Sequence, residues 1–122
     1  MRPTWAFLVL AALAAGTADA QGMRSLLKGT PAELFNEQDN RLMLDAANRV
    51  LDGAPENEPV EWANTQTNHR GDVTLTRGFE SQGRPCKELR LRNQAGNRSG
   101  ESRVNACQVD GKWRLVGSSQ IK

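Results

Sequence analysis

Cys86-Lys87-Glu88-Leu89-Arg90-Leu91-Arg92 and Val104-Asn105-Ala106-Cys107-Gln108-Val109-Asp110-Gly111-Lys112-Trp113-Arg114-Leu115-Val116 are the two stretches that decide the fold. In the first, Leu89 and Leu91 alternate with Glu88, Arg90 and Arg92, which is the period of two of a half-buried strand. Val104 and Ala106 mark the next strand, and Asp110-Gly111 is a tight-turn pair that feeds a hairpin into Trp113-Arg114-Leu115-Val116. Towards the N-terminus, Val60-Glu61-Trp62-Ala63 begins a strand, and Val73 and Leu75 with Thr74 and Thr76 make another that extends towards Phe79. Five short strands with polar turns between them predict an antiparallel meander.

Before the strands the apolar period is helical. Met43, Ala46, Ala47, Val50 and Leu51 fall on one face of a helix expected over Glu37–Leu51, while Asp45, Asn48, Arg49 and Asp52 lie largely opposite. Thr30-Pro31-Ala32-Glu33 fits a capping box with proline at the first helical position, and Asn36-Glu37-Gln38-Asp39 offers a second start, so a short turn is expected before the main helix. Gly53 stops the helix, and Ala54–Pro59 hands the chain to the sheet. The expected fold class is α+β: an N-terminal amphipathic helix packed as a lid on a small antiparallel meander of about five strands, with one disulfide. Residues 21–35 are expected to be a flexible leader and residues 36–122 the domain; no internal repeat is visible.

Residues 1–20 read as a cleaved secretory signal. Arg2 supplies the basic start, Trp5 to Ala15 the apolar run, and Ala18 and Ala20 the small-x-small pattern before a cut at Gln21. The apolar run is about half of the roughly 20 residues that a membrane-spanning helix needs. An exported chain is expected, periplasmic or secreted, associated with the outer membrane at most without a lipid anchor, because Gln21 and not a cysteine stands at the new N-terminus. The mature chain shows no transmembrane segment. In an oxidising compartment Cys86 and Cys107 are expected to form a structural crosslink; if they pair, the loop-entropy model gives about 3 kcal/mol. Two isolated thiols and a distant His69 lack zinc-ligand spacing, and the pair is not Cys-x-x-Cys.

Charge is unevenly spread. Residues 21–83 hold six Lys or Arg against ten Asp or Glu, net −4, whereas residues 84–122 hold nine against three, net +6. The basic half admits two readings: Arg90, Arg92, Arg103 and Arg114 contact an anionic partner, or the basic strand face pairs with the acidic helix. The partners in view are peptidoglycan, lipopolysaccharide or another envelope protein; nucleic acid is not expected, since no aromatic platform interleaves the basic residues.

Catalysis finds little support. His69 lies in a polar stretch with Asn64, Asn68, Arg70 and Asp72, where a loop role fits better than a catalytic pairing with Asp72. Trp62 and Trp113 read as core, although a ligand-stacking pair is the alternative. Glu56 and Glu58 sit in a proline-rich loop with nothing to raise a pKa, and the glycines form no phosphate loop. No catalytic, cofactor-binding or metal residues are expected.

In order along the chain, Ala46-Ala47 through Val50-Leu51, Glu61-Trp62-Ala63-Asn64, Gly71-Asp72-Val73-Thr74, Cys86-Lys87-Glu88-Leu89, Ala106-Cys107 and Asp110-Gly111-Lys112-Trp113 resemble the C-terminal domain of the rickettsial-type 17 kDa outer-membrane surface antigen family. The resemblance covers roughly Asn36 to Val116 and carries over Cys86 and Cys107 as the crosslink. It implies a non-enzymatic envelope protein. The better-known members also carry a lipidated cysteine and a glycine zipper, which this sequence lacks, and Leu89 stands where an aromatic is common. A periplasmic or secreted binding or structural domain is therefore expected, with a secreted inhibitor of a wall-degrading enzyme such as lysozyme as the alternative.

Overall fold

The computed structural model describes residues 20–119. Residues 1–19, and with them almost all of the export-signal reading, lie outside the described residues. Helix α1 spans Ala20–Leu26, a 3-10 turn Pro31–Leu34, and helix α2 Glu37–Leu51. Strands β1 (Val60–Asn64), β2 (His69–Ser81), β3 (Arg84–Ala95), β4 (Arg98–Val109) and β5 (Lys112–Ser119) follow.

The expected helix is present with the expected bounds. Asn36 caps it through a reciprocal box: its Oδ1 accepts the Asp39 N–H at 2.8 Å, and Asp39 Oδ2 accepts the Asn36 N–H at 2.9 Å. Met43, Ala46, Ala47, Val50 and Leu51 bury one face. At the far end Lys87 Nζ donates to the Leu51 carbonyl at 2.9 Å, placing a cation where the helix dipole is negative and tying β3 to α2.

Two expectations about the N-terminal segment need correction. Met23 in α1 and Leu27 just after it, each 1% exposed, belong to the core cluster, so the first part of the stretch expected as a flexible leader is docked on the domain. The gain from burying two such side chains, about 1.5–3 kcal/mol each, holds this segment in place. At Thr30 the short turn expected before the main helix is a 3-10 turn, but the box there is not reciprocal: Thr30 Oγ1 accepts the Ala32 N–H, while Glu33 accepts the Gly29 N–H instead of that of Thr30. Pro31 sits at the start of this turn and packs beside Gly100.

The sheet is antiparallel with strand order β1-β2-β3-β4-β5, as the meander predicts. Asp110 and Gly111 have φ of 54° and 76°, and Gln82 and Gly83 have 53° and 74°; both pairs close two-residue hairpins of the type that matches strand twist. Only the first of these turns stands out in the sequence.

Pairing and alternation divide the sheet into two faces. Trp62, Val73, Leu75, Leu89, Leu91, Val104 and Ala106 join α1 and α2 in one core. Phe35 adds an edge contact to Trp62, with ring centroids 5.1 Å apart. Gly71 is fixed by this packing. A Cβ there would strike the Arg92 carbonyl oxygen and Asn93 Oδ1 and lie 2.8 Å from Trp62 Nε1. Gly71→Ala is expected to cost about 1–3 kcal/mol, read as a lower urea midpoint at unchanged m-value.

Candidate binding face

Among the described residues no helix packs on the other face of the sheet, and charged side chains fill it in cross-strand rows. Asp72, Arg92 and Glu101 are aligned across β2, β3 and β4; Thr74, Arg90 and Arg103 form the next row; Arg77, Glu88 and Asn105 the third. Phe79, Cys86, Cys107 and Arg114 follow across β2 to β5. The disulfide, with S–S 2.05 Å, thus joins two directly opposed residues at one end of this face.

The four arginines of the sequence reading, Arg90, Arg92, Arg103 and Arg114, occupy this one face, because each sits an odd number of residues from a core position on its own strand. Their nearest counter-charges correct one expectation. Among the described residues these four arginines make no ion pair with the acidic helix, which packs against the opposite face. Arg90 Nε lies 3.2 Å and Arg92 Nε 3.5 Å from Glu101, while Arg103 Nη1 and Arg77 Nε each lie 3.8 Å from Glu88. Glu88 is 7% exposed, so this ladder is partly withdrawn from solvent. Arg90 and Arg103 stand directly opposite one another, an arrangement that costs stability wherever no anion screens it.

Beside the ladder lies a cleft of about 770 Å³. Its walls are the row Glu61, Asp72, Arg92, Glu101 and the row Ala63, Arg70, Gln94, Ser99. Gly71 and Gly100 contribute only main chain between them. Asp72 Oδ1 is buried without a hydrogen-bond partner. Loss of water around Asp72 raises its pKa above the ordinary carboxylate value, with Arg92 and Arg90 opposing the rise and Glu61 and Glu101 adding to it.

Because the folded pKa lies above the unfolded one, ionised Asp72 costs stability at neutral pH, and the cost is relieved as pH falls towards the folded pKa. Removing one member of the Glu61–Asp72 cross-strand pair is worth a few tenths to about 1 kcal/mol. Asp72→Asn is therefore expected to raise Tm at pH 7 by roughly 2–6 °C, measured by calorimetry, and to raise it less as the solution is acidified.

A second polar cluster joins α2 to the β1–β2 hairpin. The Asp39 carboxylate, 0% exposed, accepts from Asn64 Nδ2, Thr67 Oγ1 and His69 Nδ1, each at 2.8 Å, besides the Asn36 N–H. An ionised carboxylate only accepts, so the proton of His69 sits on Nδ1 when the ring is neutral. Burial works to raise the Asp39 pKa, but the bonds from Asn36, His69, Thr67 and Asn64 outweigh it and hold the pKa below the ordinary value.

His69 is the first residue of β2, not a loop residue. Its partner is Asp39, thirty positions away, while Asp72 lies on the far face of the sheet. Its ring also stacks at a tilt on Phe35, with centroids 5.5 Å apart. Among the described residues no hydroxyl or thiol is hydrogen-bonded to the imidazole, and the cluster serves as a polar clamp between helix and hairpin. Trp62 is core at 6% exposure, whereas Trp113 is half-buried with Lys87 Nζ 5.0 Å from its ring centroid.

The matched proteins share the segment that builds this sheet. A family model described as 17 kDa outer membrane surface antigen matches residues 49–114, more than half of the chain. The chain belongs to this family. The 17 kDa surface antigen of Rickettsia prowazekii (strain Madrid E) is 34% identical over 83 residues, covering 66% of this chain and 52% of the relative. That of Rickettsia conorii is 34% identical over 84 residues (67% and 53%), and that of Rickettsia bellii 30% identical over 84. The chain spans about half the length of these curated relatives. No solved structure matches. The antigen-family segment runs from the last turn of α2 to Arg114 and contains the charged rows, the cleft and both cysteines.

Proposed function

We propose that this chain is a non-enzymatic envelope protein whose charged sheet face binds an anionic envelope component: peptidoglycan, lipopolysaccharide or another envelope protein. The observation that carries the reading is the alignment of Arg90, Arg92, Arg103 and Arg114 on a single face, with Glu88 and Glu101 set among them and Asp72 at the end of the Arg92 row. Guanidinium groups offer five donors each in a fixed fork, so a group held by one glutamate keeps donors for carboxylate or phosphate. Family membership supports an envelope setting. Residues 1–20 act in this reading as the export signal, and residues 36–122, with α1 docked on them, as the exported domain.

Sedimentation with purified peptidoglycan and with lipopolysaccharide micelles tests the face. Retention of the chain is expected at low ionic strength, and raising salt towards 1 M, where the Debye length falls to about 3 Å, is expected to release it. The combined Arg90→Gln, Arg103→Gln, Arg114→Gln variant is expected to lose most of that retention while keeping its near-UV circular dichroism. Equal retention of variant and wild type on both polymers would remove the arginines from the interaction. N-terminal sequencing of the protein from fractionated cells checks the export signal, with Gln21 as the expected first residue.

A further inference from the structure

The cleft beside the arginine ladder has a different chemistry from the ladder itself. Glu61 and Asp72 are direct cross-strand neighbours on β1 and β2, and among the described residues no ion pair engages either of them. Two like charges in that relation cost stability, and Asp72 Oδ1 has no donor. The pair therefore has room for a cation. Arg70 stands two residues from Asp72 on the same strand, roughly 7 Å along it. Its Nε donates to Gln94 Oε1 at 3.1 Å, which aims the guanidinium and leaves its terminal N–H groups for an anion. Arg92 is already drawn to Glu101. Arg92 and Arg90 act on Asp72 only from beyond ion-pair distance, so the cleft holds two carboxylates without a direct cationic partner on one side and one guanidinium on the other, with glycine main chain at Gly71 and Gly100 between them.

A polyanion meets repulsion from Glu61 and Asp72 here. A ligand with an ammonium and a carboxylate a few bonds apart satisfies both sides. We propose that the cleft binds a short zwitterionic peptide with a free side-chain ammonium and a carboxylate, of the kind carried by a cell-wall glycan: ammonium at Glu61 and Asp72, carboxylate at Arg70. This inference rests on the envelope reading above and narrows its ligand to the peptide part of peptidoglycan. The stability cost of keeping Asp72 ionised belongs with such a role, because binding sites commonly hold groups that folding alone would discard.

The test is titration of the full chain with the synthetic tripeptide Ala-γ-Glu-Lys, followed by amide NMR shifts and calorimetry. Shifts concentrated at Gly71, Arg92 and Gly100 are expected. Acetylation of the tripeptide's side-chain amine and Asp72→Asn are each expected to weaken binding by about tenfold, the range of one charge-assisted hydrogen bond. Arg70→Gln is expected to do the same, and amidation of the tripeptide's terminal carboxylate to match it. Asp72→Asn separates binding from folding, since it raises Tm while it lowers affinity. Absence of shifts at millimolar tripeptide, or equal affinity of the acetylated peptide, overturns the proposal. If the tripeptide is silent while peptidoglycan still retains the chain through Arg90, Arg103 and Arg114, the cleft assignment fails and the envelope reading stands. If neither peptidoglycan nor lipopolysaccharide retains the chain and the tripeptide is silent, both fall.

Discussion

Asp39→Ala is expected to destabilise the domain by about 3–5 kcal/mol, the cost of removing one partner from a buried, charge-assisted network. The substitution removes the N3 half of the capping box and leaves the Asn36 N–H, Asn64 Nδ2 and Thr67 Oγ1 without their acceptor inside the clamp. A domain of this size has roughly 5–15 kcal/mol in total, so the variant should be partly unfolded at 37 °C. Urea unfolding followed by tryptophan fluorescence checks this, because Trp62 sits beside Phe35, which stacks on His69. Asp39→Asn retains the shape and one acceptor and should lose less. The sign of the pH dependence follows from the lowered pKa: the contribution of Asp39 is complete above the unfolded carboxylate value and is lost as pH falls through the lower folded value. Wild type should therefore weaken on acidification below about pH 4, a loss that Asp39→Asn no longer shows. A variant within 1 kcal/mol of wild type would mean that the clamp is open to water in solution.

The parts legible in the sequence are those specified by neighbours in the chain. Helix α2 could be read with its bounds because its capping box and apolar face lie within sixteen consecutive residues. The strands could be placed but not measured. Beyond Phe79, β2 continues through Glu80 and Ser81 only because β3 pairs with it through the Gln82-Gly83 turn, and those polar positions have no alternation to reveal it. Helix α1 escaped for a related reason: Met23 and Leu27 are a single i, i+4 pair, which becomes informative only once a core exists for it to enter. The arginine face was legible, since Arg90 and Arg92 alternate with Leu89 and Leu91; its counter-charge Glu101 was not, because that contact depends on the β3–β4 register. The cleft likewise depends on register across four strands. Asp39 was visible as a helix-start residue, yet its bond to His69 spans thirty positions and left no local sign.

Removing the Cys86–Cys107 crosslink is expected to cost about 3 kcal/mol, equivalent to a fall in Tm of roughly 12–24 °C for a domain of this size. The source of that loss is open to measurement. Cys86 and Cys107 face one another in a ladder that runs unbroken from Cys86↔Cys107 to Ala95↔Arg98, so the bond adds little order that pairing does not already impose on the folded state. Its main effect should fall on the unfolded chain, where a sequence separation of 21 is closed into a loop. Two consequences can be read in one denaturation series on the Cys86→Ala, Cys107→Ala variant. The m-value should rise, because an unfolded chain without the loop exposes more surface. Folding should slow more than unfolding accelerates, provided that the β3–β4 pairing, which the loop brings together, forms by the transition state. The reduced wild type should behave like the double variant, which separates loss of the bond from loss of two buried sulfur atoms. If the m-value is unchanged and the whole effect appears in the unfolding rate, the bond stabilises the folded sheet directly. Its place in the row Phe79, Cys86, Cys107, Arg114 would then make it a support for the charged face as well as a tie between strands.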